Sequence, residues 1–357
     1  MFDVAIIGAG PAGSTLAHLI AHKYRVLLID KRDLNNENNK NPIVKCCGGL
    51  LAPDAQHIMA TIGLALPRDV LVDPQLFTVR TMDFTNNIER FYQRFYLNMD
   101  REKFDRWLVS QVPGTVEKRF NSMFKSFKKL EEGYEVKYNH GGKTYTERAK
   151  IIIGADGGNS RIRKIAFKEE TFPSKYISIQ EWFKVSELMP YFIAIFDESI
   201  TDFYSWIIPK DEHVLLGAAL KLNDNTNGKF ELLKEKLKKH GFNLENRLKR
   251  EGAYIYRPTS LSHVVSGNEN IALIGEAAGA ISPSSAEGFS YAFKSALYLA
   301  ESLEDGIDGF LDRYQRKMKK IKMNILLKNL KSPAMYNPII RGQVMRSGIQ
   351  SMDVIKK

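Results

Sequence analysis

The fold is decided by the stretch FDVAIIGAGPAG at residues 2–13 of the 357-residue chain. Residues 2–7 are an almost continuous apolar run, which is typical of a strand buried on both faces of a parallel sheet. Residues 11–23 favour a helix, and residues 25–29 favour a second strand. The order strand, helix, strand predicts a βαβ unit and therefore an α/β fold.

The glycines after the first strand stand in the spacing G-x-G-x-x-G, directly before the predicted helix. Gly8 permits a tight turn, Gly10 lets a pyrophosphate approach the backbone, and Gly13 lets helix and strand pack closely. Together with Ala12, this turn lets phosphate charge meet the unpaired N–H groups at the helix N-terminus. The pattern predicts a dinucleotide-binding site.

Asp30 ends the second predicted strand, about twenty residues after the glycines, and Lys31 follows it. At this place a carboxylate accepts hydrogen bonds from an adenosine ribose, so both residues are assigned to the cofactor site. The alternative is an ordinary glycine-rich turn followed by a surface aspartate. These residues alone do not separate NAD from FAD.

Three later turns favour FAD. The first begins a predicted helix, the second comes directly off a buried strand, and the third joins a strand to another helix. Such turns can aim a guanidinium at a pyrophosphate or flavin edge, and carboxylates and amides at the rest of a flavin dinucleotide. Each turn alone is compatible with an ordinary surface loop, but all three in this order predict FAD. Their candidate residues are Arg101, then Asp156, then Gly275, Glu276 and Gly288.

The middle of the chain differs from its ends. From about residue 170 to 265, β-branched and aromatic segments alternate with turn signals, which predicts an antiparallel sheet carrying a substrate pocket. The cofactor domain is therefore discontinuous. The predicted boundaries are 1–75, 100–168 and 266–305 for the FAD-binding domain, 76–99 and 169–265 for the β-rich substrate domain, and 306–357 for a C-terminal helical region.

Composition limits the class of protein. No apolar run reaches the roughly 18 to 20 residues that span a bilayer, and the N-terminus lacks the pattern of a signal peptide. We therefore expect a cytoplasmic protein, with contact to the inner membrane face as an option. The net charge of +11 also suits nucleic acid, but the sequence contains no recognition motif, so no nucleic-acid partner is expected.

The basic charge is concentrated near the C-terminus. Tyr314, Met318, Ile321 and Ile325 recur there at helical spacing, which predicts a basic amphipathic helix. This helix either packs its apolar face on the protein or contacts an anionic membrane surface or lipid headgroup. The basic residues are Arg313, Arg316, Lys317, Lys319, Lys320, Lys322, Lys328 and Lys331.

With these motifs assembled, nearly the whole chain resembles the superfamily of FAD-dependent monooxygenases and reductases that includes p-hydroxybenzoate hydroxylase. The resemblance implies a Rossmann-like FAD-binding domain with an inserted antiparallel β-rich substrate domain and a helical C-terminal region. The superfamily usually has aspartate in the third turn, where this chain has Glu276.

A fourth motif, KCCGGL at residues 45–50, resembles the Lys-x-Cys-Gly-Gly segment of the geranylgeranyl reductases within this superfamily. The resemblance implies that Cys47 lies beside the flavin near a bound alkene, together with Gly48 and Gly49. From the residues alone, Cys47 is equally compatible with a small buried hydrophobe. Its neighbour Cys46 has no assigned role, and two adjacent cysteines form neither a disulfide framework nor a zinc site.

A fifth motif, YSWIIP at residues 204–209, resembles the Tyr-x-Trp-x-Phe-Pro segment of the same reductases, with Ile208 in place of Phe. The resemblance implies that Tyr204 and Trp206 line a tunnel for an isoprenoid chain. Aromatic rings with one polar edge suit a mostly apolar pocket, but they also suit the core of the inserted sheet.

The expected reaction is therefore reduction of the double bonds of an isoprenoid or polyprenyl lipid by hydride transfer from reduced FAD. The sequence has no second nucleotide fingerprint, so the electron donor is either NAD(P)H bound transiently or a ferredoxin-like protein. Two alternatives stay open. One is an FAD-dependent monooxygenase of an aromatic or polyketide-like substrate, and the other is a non-catalytic flavin-binding module at a membrane surface.

Overall fold

The computed structural model describes residues 1–35, 45–167, 172–185, 189–222 and 225–355. Two β-sheets and the helices packed around them form the molecule. The strands are β1 (Phe2–Ile7), β2 (Val26–Ile29), β3 (Leu50–Leu51), β4 (Leu76–Asp83), β5 (Ile88–Asn98), β6 (Glu117–Arg119), β7 (Ser122–Lys129), β8 (Tyr134–His140), β9 (Lys143–Gly154), β10 (Ser174–Lys184), β11 (Phe192–Phe196), β12 (Ser205–Lys210), β13 (His213–Lys221), β14 (Arg247–Arg257), β15 (Gly267–Asn268), β16 (Ile271–Leu273) and β17 (Ser351–Met352).

The helices alternate with strands in the first part of the chain and follow one another at its end. They are α1 (Pro11–Ile20), α2 (Pro53–Thr61), α3 (Arg101–Ser110), α4 (Arg161–Ala166), α5 (Thr226–Lys239), α6 (Phe289–Leu303), α7 (Phe310–Lys331), α8 (Pro333–Tyr336) and α9 (Pro338–Ser347). Among the described helices, none is long and apolar enough to cross a bilayer.

The first sheet contains the predicted βαβ unit. Its order is β15-β16-β9-β1-β2-β6, and β1 pairs in parallel with both β9 and β2. Because β1 is central and covered on both faces, its apolar residues lie in the core, as the sequence predicts. In the same sheet, the long strand β9 also pairs with β8, and β8 pairs with β7, both antiparallel, which extends the sheet by a hairpin.

The second sheet has the order β14-β10-β13-β12-β11-β4-β5-β17 and is antiparallel apart from the parallel pair of β11 and β4. Alternate residues of β13 face opposite sides, as strand geometry requires. Val214 and Leu216 pack with Leu233 of α5, whereas Leu215 packs with Trp206 on the other side. That other side faces the cavity described below. The predicted domain boundaries stay predictions.

Helix α7 packs the apolar face predicted from the sequence into the core of the first sheet. Tyr314, Met318, Ile321 and Ile325 are buried there, and the Tyr314 hydroxyl donates a hydrogen bond to the Leu273 carbonyl at 2.8 Å. Of the two interpretations of this face, packing on the protein is therefore the one that the structure supports.

Candidate functional site

A cavity of about 1130 Å³ is lined by residues of both sheets. It exceeds the roughly 300–1000 Å³ of pockets that hold one small ligand, so it has room for a cofactor and a substrate together. Gly13, assigned to the cofactor site from the sequence, does not line the cavity. A Cβ at Gly13 would overlap the Gly8 carbonyl, so the residue packs α1 against the turn at Gly8. The predicted site residues that line the cavity are Gly8, Gly10, Ala12, Asp30, Lys31, Cys47, Gly48, Gly49, Arg101, Asp156, Tyr204, Trp206, Gly275, Glu276 and Gly288.

One end of the cavity is the glycine turn before α1. Gly8 has φ +108°, a backbone conformation that favours glycine, and a Cβ there would overlap the Ala155 carbonyl. Gly10 caps α1, and no side chain of the described residues caps this helix start. A Cβ at Gly10 would meet no atom within 4 Å. Unpaired N–H groups therefore face open space that suits a pyrophosphate.

Asp30 lies beside this turn in a chain of alternating charges. Its Oδ2 accepts a hydrogen bond from the Ala9 N–H at 2.6 Å, and its Oδ1 accepts one from the Arg32 side chain at 3.0 Å. Arg32 also contacts Asp105, whose carboxylate accepts two hydrogen bonds from Arg101 at 2.8 and 3.2 Å. Burial raises the pKa of Asp105, but the Arg101 and Arg32 guanidiniums lower it more, so the carboxyl is charged.

Arg32 was missed by sequence reasoning, which selected its neighbour Lys31. Lys31 is exposed at the edge of the cavity, whereas the Arg32 side chain is mostly buried between the two carboxylates. Adjacent residues at the end of a strand point in different directions. The sequence alone therefore does not show which of the two cations, Lys31 or Arg32, points into the protein. The partner Asp105 is 73 residues away in the chain, so no local signal marks the pair.

Asp156 follows β9, and only one of its two carboxylate oxygens accepts a hydrogen bond from the described residues. Its Oδ2 accepts a hydrogen bond from the Arg161 N–H at 2.6 Å, which fixes the start of α4. Its buried Oδ1 has no hydrogen-bond partner within the described ranges. Burial raises the pKa of this carboxyl. A cofactor hydroxyl would satisfy Oδ1, so the residue fits a flavin dinucleotide.

Glu276 lines the cavity, but both of its oxygens contact the protein. Oε2 pairs with the Lys45 ammonium at 2.7 Å, and Oε1 accepts a hydrogen bond from the Tyr256 N–H at 3.4 Å. The preceding Gly275, with φ +58°, packs against Ala12 of α1. Gly288 caps α6 without a side-chain cap from the described residues. Glu276 thus anchors Lys45, two residues before Cys47, in addition to any cofactor contact.

The two cysteines differ in their surroundings. Cys46 is buried with its sulfur 3.9 Å from the Ser178 hydroxyl, and burial raises its pKa to about 12, so its thiol stays protonated. Cys47 is half-buried at the cavity wall, and its sulfur accepts a hydrogen bond from the Gly49 N–H at 3.5 Å. Cys47 is therefore the thiol held by the glycine turn that follows it.

That turn packs directly on β12, so the fourth and fifth motifs meet. A Cβ at Gly48 would lie 2.6 Å from Cδ1 of Ile208, and a Cβ at Gly49 would lie 2.7 Å from Nζ of Lys210. Gly49 also has φ +61°. A side chain at Gly49 would also overlap the Met99 carbonyl, so that position requires glycine, whereas a side chain at Gly48 would require the Ile208 terminal methyl group to move.

Lys210 is a second residue that sequence reasoning missed. Its ammonium donates hydrogen bonds to the carbonyls of Met99 at 2.8 Å and Gly49 at 3.2 Å. Burial lowers its pKa to about 7. Lys210 thereby joins the turn after Cys47 to the segment just before Arg101. Its position directly after the YSWIIP motif is the only local signal for it.

Tyr204 and Trp206 belong to the cavity wall and to the core of the second sheet at once. The Tyr204 hydroxyl donates a hydrogen bond to the Ser285 carbonyl at 2.7 Å, and burial raises its pKa. The Trp206 ring lies 5.3 Å from that of Tyr204 and packs against Gly217. Phe192 and Phe196 line the same part of the cavity. This end of the cavity therefore has an aromatic wall.

The fold and this cavity define a flavoprotein class in which a Rossmann-like unit and a second sheet share one binding space. The chain belongs to the family of the FAD binding domain, whose model matches residues 1–328. FAD is accordingly its cofactor, and the chain is an FAD-dependent oxidoreductase.

The curated relatives include the protein CbrA of Escherichia coli O6:H1, 38% identical over 355 residues that cover 99% of this chain and 96% of that protein. CbrA of Shigella sonnei is also 38% identical, with 99% of each chain covered. The resemblance of the chain as a whole to the colicin M resistance flavoprotein of enteric bacteria is confirmed by these relatives.

Solved structures share the fold. A geranylgeranyl bacteriochlorophyll reductase-like protein from Thermoplasma acidophilum has a TM-score of 0.82 at 19% identity, covering 99% of this chain and 92% of that one. PqsL from Pseudomonas aeruginosa, described as a probable FAD-dependent monooxygenase, has a TM-score of 0.67 at 17% identity, covering 98% and 99%. At these identities the likeness concerns the fold alone.

Proposed function

We propose that this oxidoreductase reduces carbon–carbon double bonds of an isoprenoid or polyprenyl lipid. The observation that carries the proposal is the contact between the turn at Gly48 and Gly49 and strand β12. This contact brings Cys47, Tyr204 and Trp206 to one cavity that begins at the glycine turn of α1. These are the two motifs that resemble those of geranylgeranyl reductases.

Bound FAD supplies, in its reduced form, a hydride to one alkene carbon, while a proton adds to the other carbon. Gly8, Gly10 and Ala12 would hold the pyrophosphate of the cofactor, and Asp30 would hold its adenosine ribose. Asp156 would accept a hydrogen bond from a cofactor hydroxyl through its Oδ1, which has no partner among the described residues. The rest of the cofactor would lie against other residues of the cavity lining, namely Lys31, Arg101, Gly275, Glu276 and Gly288.

Cys47 is the candidate proton donor or positioning group for the alkene. It is the more exposed of the two thiols, and the Gly49 N–H fixes its sulfur at the cavity wall. An isolated alkene is a poor hydride acceptor, so close placement must supply much of the rate acceleration. The aromatic wall of Tyr204 and Trp206 excludes water and orients the chain of the lipid.

The electrons come from NAD(P)H bound transiently or from a ferredoxin-like protein. The expected cytoplasmic location, with contact to the inner membrane face, belongs to the same proposal, because the substrate is a lipid.

The test is product mass. Purified holoprotein with reduced flavin and a polyprenyl phosphate should yield products heavier by two hydrogens for each saturated bond. Cys47→Ala should retain FAD and lower the rate by about a hundredfold, as expected when a proton donor is removed. Cys46→Ala, whose buried thiol has no assigned role, should keep both FAD and rate. The absence of a mass shift across chain lengths contradicts the proposal.

A second candidate is an FAD-dependent monooxygenase, and one observation favours it. Gln180 lines the cavity, and its buried Oε1 has no hydrogen-bond partner within the described residues. Thr81 and Ser178 line the same cavity. Such groups suit a polar aromatic or polyketide-like substrate. That enzyme would consume oxygen in step with substrate and add an oxygen atom to it. A non-catalytic flavin-binding module would show no substrate-dependent reoxidation of flavin.

A further inference from the structure

The last three helices leave a set of large apolar side chains in solvent. On α7, Met323, Leu327 and Leu330 are exposed, the last to 70%. At 100° per residue they lie on the side of the helix opposite to the buried Tyr314 and Ile325. The C-terminal half of α7 is therefore apolar on two sides, and the side of Tyr314 and Ile325 is the one that packs on the described protein core.

The same exposure continues through the next two helices. Met335 of α8 is exposed, and on α9 so are Ile339, to 70%, Ile340 and Val344. The other side of α9 is fixed to the second sheet, where buried Arg341 pairs with Asp83 at 2.7 Å. These side chains cannot turn inward without breaking that ion pair. We call this surface the C-terminal face, formed by Met323, Leu327, Leu330, Met335, Ile339, Ile340 and Val344.

The segment that carries this face is strongly basic. Between residues 313 and 352 the sequence has no Asp or Glu. Within the described residues, the exposed side chains Arg316, Lys319, Lys320, Lys331 and Arg346 take part in no ion pair. The basic residues of the segment are Arg313, Arg316, Lys317, Lys319, Lys320, Lys322, Lys328, Lys331, Arg341 and Arg346.

The lining of the cavity extends to this face. Met335 is both exposed and part of the cavity lining. Its neighbour Tyr336 donates a hydrogen bond from its hydroxyl to the Ser284 carbonyl at 2.7 Å, and Ser284 also lines the cavity. A ligand that leaves the cavity beside Met335 would therefore emerge among the apolar side chains of α7 to α9.

We propose that the C-terminal face docks on an anionic phospholipid membrane and holds the side of the cavity at Met335 close to the lipid surface. Large apolar side chains insert at the headgroup boundary while surrounding lysines and arginines attract anionic lipids. Nucleic acid matches the charge but offers no place for exposed leucine and isoleucine. A second copy docked by the same face would set two basic surfaces against each other.

The experiment is vesicle co-sedimentation of the FAD-loaded protein. Vesicles of phosphatidylcholine alone are compared with vesicles that also contain phosphatidylglycerol. We expect binding to the anionic vesicles to be at least about tenfold stronger and to weaken with salt. The variant Leu327→Gln/Leu330→Gln/Ile339→Gln should bind at least about tenfold more weakly.

The matched control is Ile165→Gln/Leu248→Gln/Leu261→Gln, which changes three apolar side chains exposed elsewhere. It should bind within about twofold of the unchanged protein. FAD content and thermal midpoint verify folding of each variant. If the docking variant loses FAD, the single variant Leu330→Gln replaces it, with the same direction expected.

Three results would overturn the proposal. The first is equal loss of vesicle binding in the docking and control variants. The second is a dimer in sedimentation velocity that dissociates only in the docking variant while vesicles stay unbound. The third is binding to duplex DNA without binding to vesicles. The measurement uses no isoprenoid, so its outcome is independent of the proposed reaction.

Discussion

Gly8 and Gly10 stand two residues apart in the chain and have opposite surroundings. A Cβ at Gly8 would overlap the Ala155 carbonyl, whereas a Cβ at Gly10 would point into open space. We expect Gly10→Ala to weaken FAD binding by about tenfold or more, because its methyl group occupies the approach of the pyrophosphate. The apoprotein should lose less than about 1 kcal/mol of stability, since the residue has ordinary helix-cap geometry.

Gly8→Ala is the matched comparison. Its φ of +108° and the overlap with Ala155 should lower the free energy of unfolding of the apoprotein by more than about 1 kcal/mol. Fluorescence titration with FAD and chemical denaturation of both variants check this. Equal effects of the two substitutions on FAD affinity and on apoprotein stability would refute the distinction.

The buried ammonium of Lys210 should make stability depend on pH. Burial lowers its pKa from 10.5 to about 7, so between these values the unfolded chain binds more protons than the folded one. The free energy of unfolding of the wild type should therefore rise with pH above about 7, relative to Lys210→Met. The slope of that difference is at most about 1.4 kcal/mol per pH unit.

Below about pH 7 the same difference should be constant, because Lys210 is then protonated in both states. Denaturation curves of the two proteins at matched ionic strength, from about pH 6 to pH 9, measure it. A difference that stays flat above pH 7 would mean that Lys210 keeps its ordinary pKa.

The glycine motif could be identified from the sequence because its members lie near one another in the chain. Gly8, Gly10 and Asp30 serve one turn and the strand beside it, so their spacing records their role. Lys210 and Arg32 could not be identified from the sequence, because their roles depend on partners that only folding brings together. Met99 is 111 residues from Lys210, and Asp105 is 73 residues from Arg32. Fixed spacing does not encode such contacts.

At the scale of elements, the turn at Gly48 contacts strand β12. This contact connects the two motifs that resemble those of geranylgeranyl reductases, at residues 45–50 and 204–209. Gly48→Ala should lower both stability and the proposed reductase activity, because the new methyl group would collide with Cδ1 of Ile208. Ile208→Val removes that Cδ1. We therefore expect Gly48→Ala/Ile208→Val to recover about 1 kcal/mol or more relative to Gly48→Ala alone.

A double-mutant cycle measured by chemical denaturation, with turnover assayed in parallel, tests this contact. Additive effects of the two substitutions would show that the turn and the strand are not energetically coupled. Coupling in stability without recovery of turnover would assign the contact to folding and not to the site.

For helix α7, the amphipathic pattern does not determine which apolar face packs on the sheet. Its helical spacing correctly predicted an apolar face of Tyr314, Met318, Ile321 and Ile325. Met323 and Leu330 form a second apolar face on the same helix. Periodicity alone does not say which face meets the sheet, because that depends on where the chain before the helix leaves the core. The structure settles it in favour of the first face.

At the scale of the whole molecule, the cavity joins the first sheet, which holds the cofactor turn, to the second sheet, which holds the aromatic wall. The α/β fold and the inserted β-rich sheet were predictable from strand patterns and motif order. The continuity of the cavity was not, since it depends on packing between segments as distant as Lys45 and Glu276, which are 231 residues apart.

The central claim is that a lipid alkene receives the electrons of the flavin inside this cavity. The most direct measurement is anaerobic single turnover: reduced holoprotein is mixed with a polyprenyl phosphate, and flavin reoxidation is followed alongside product mass. The account predicts reoxidation without oxygen, with one double bond saturated for each flavin reoxidised. Flavin that stays reduced until oxygen is admitted would contradict it, and incorporation of an oxygen atom into a substrate would assign the cavity to a monooxygenase.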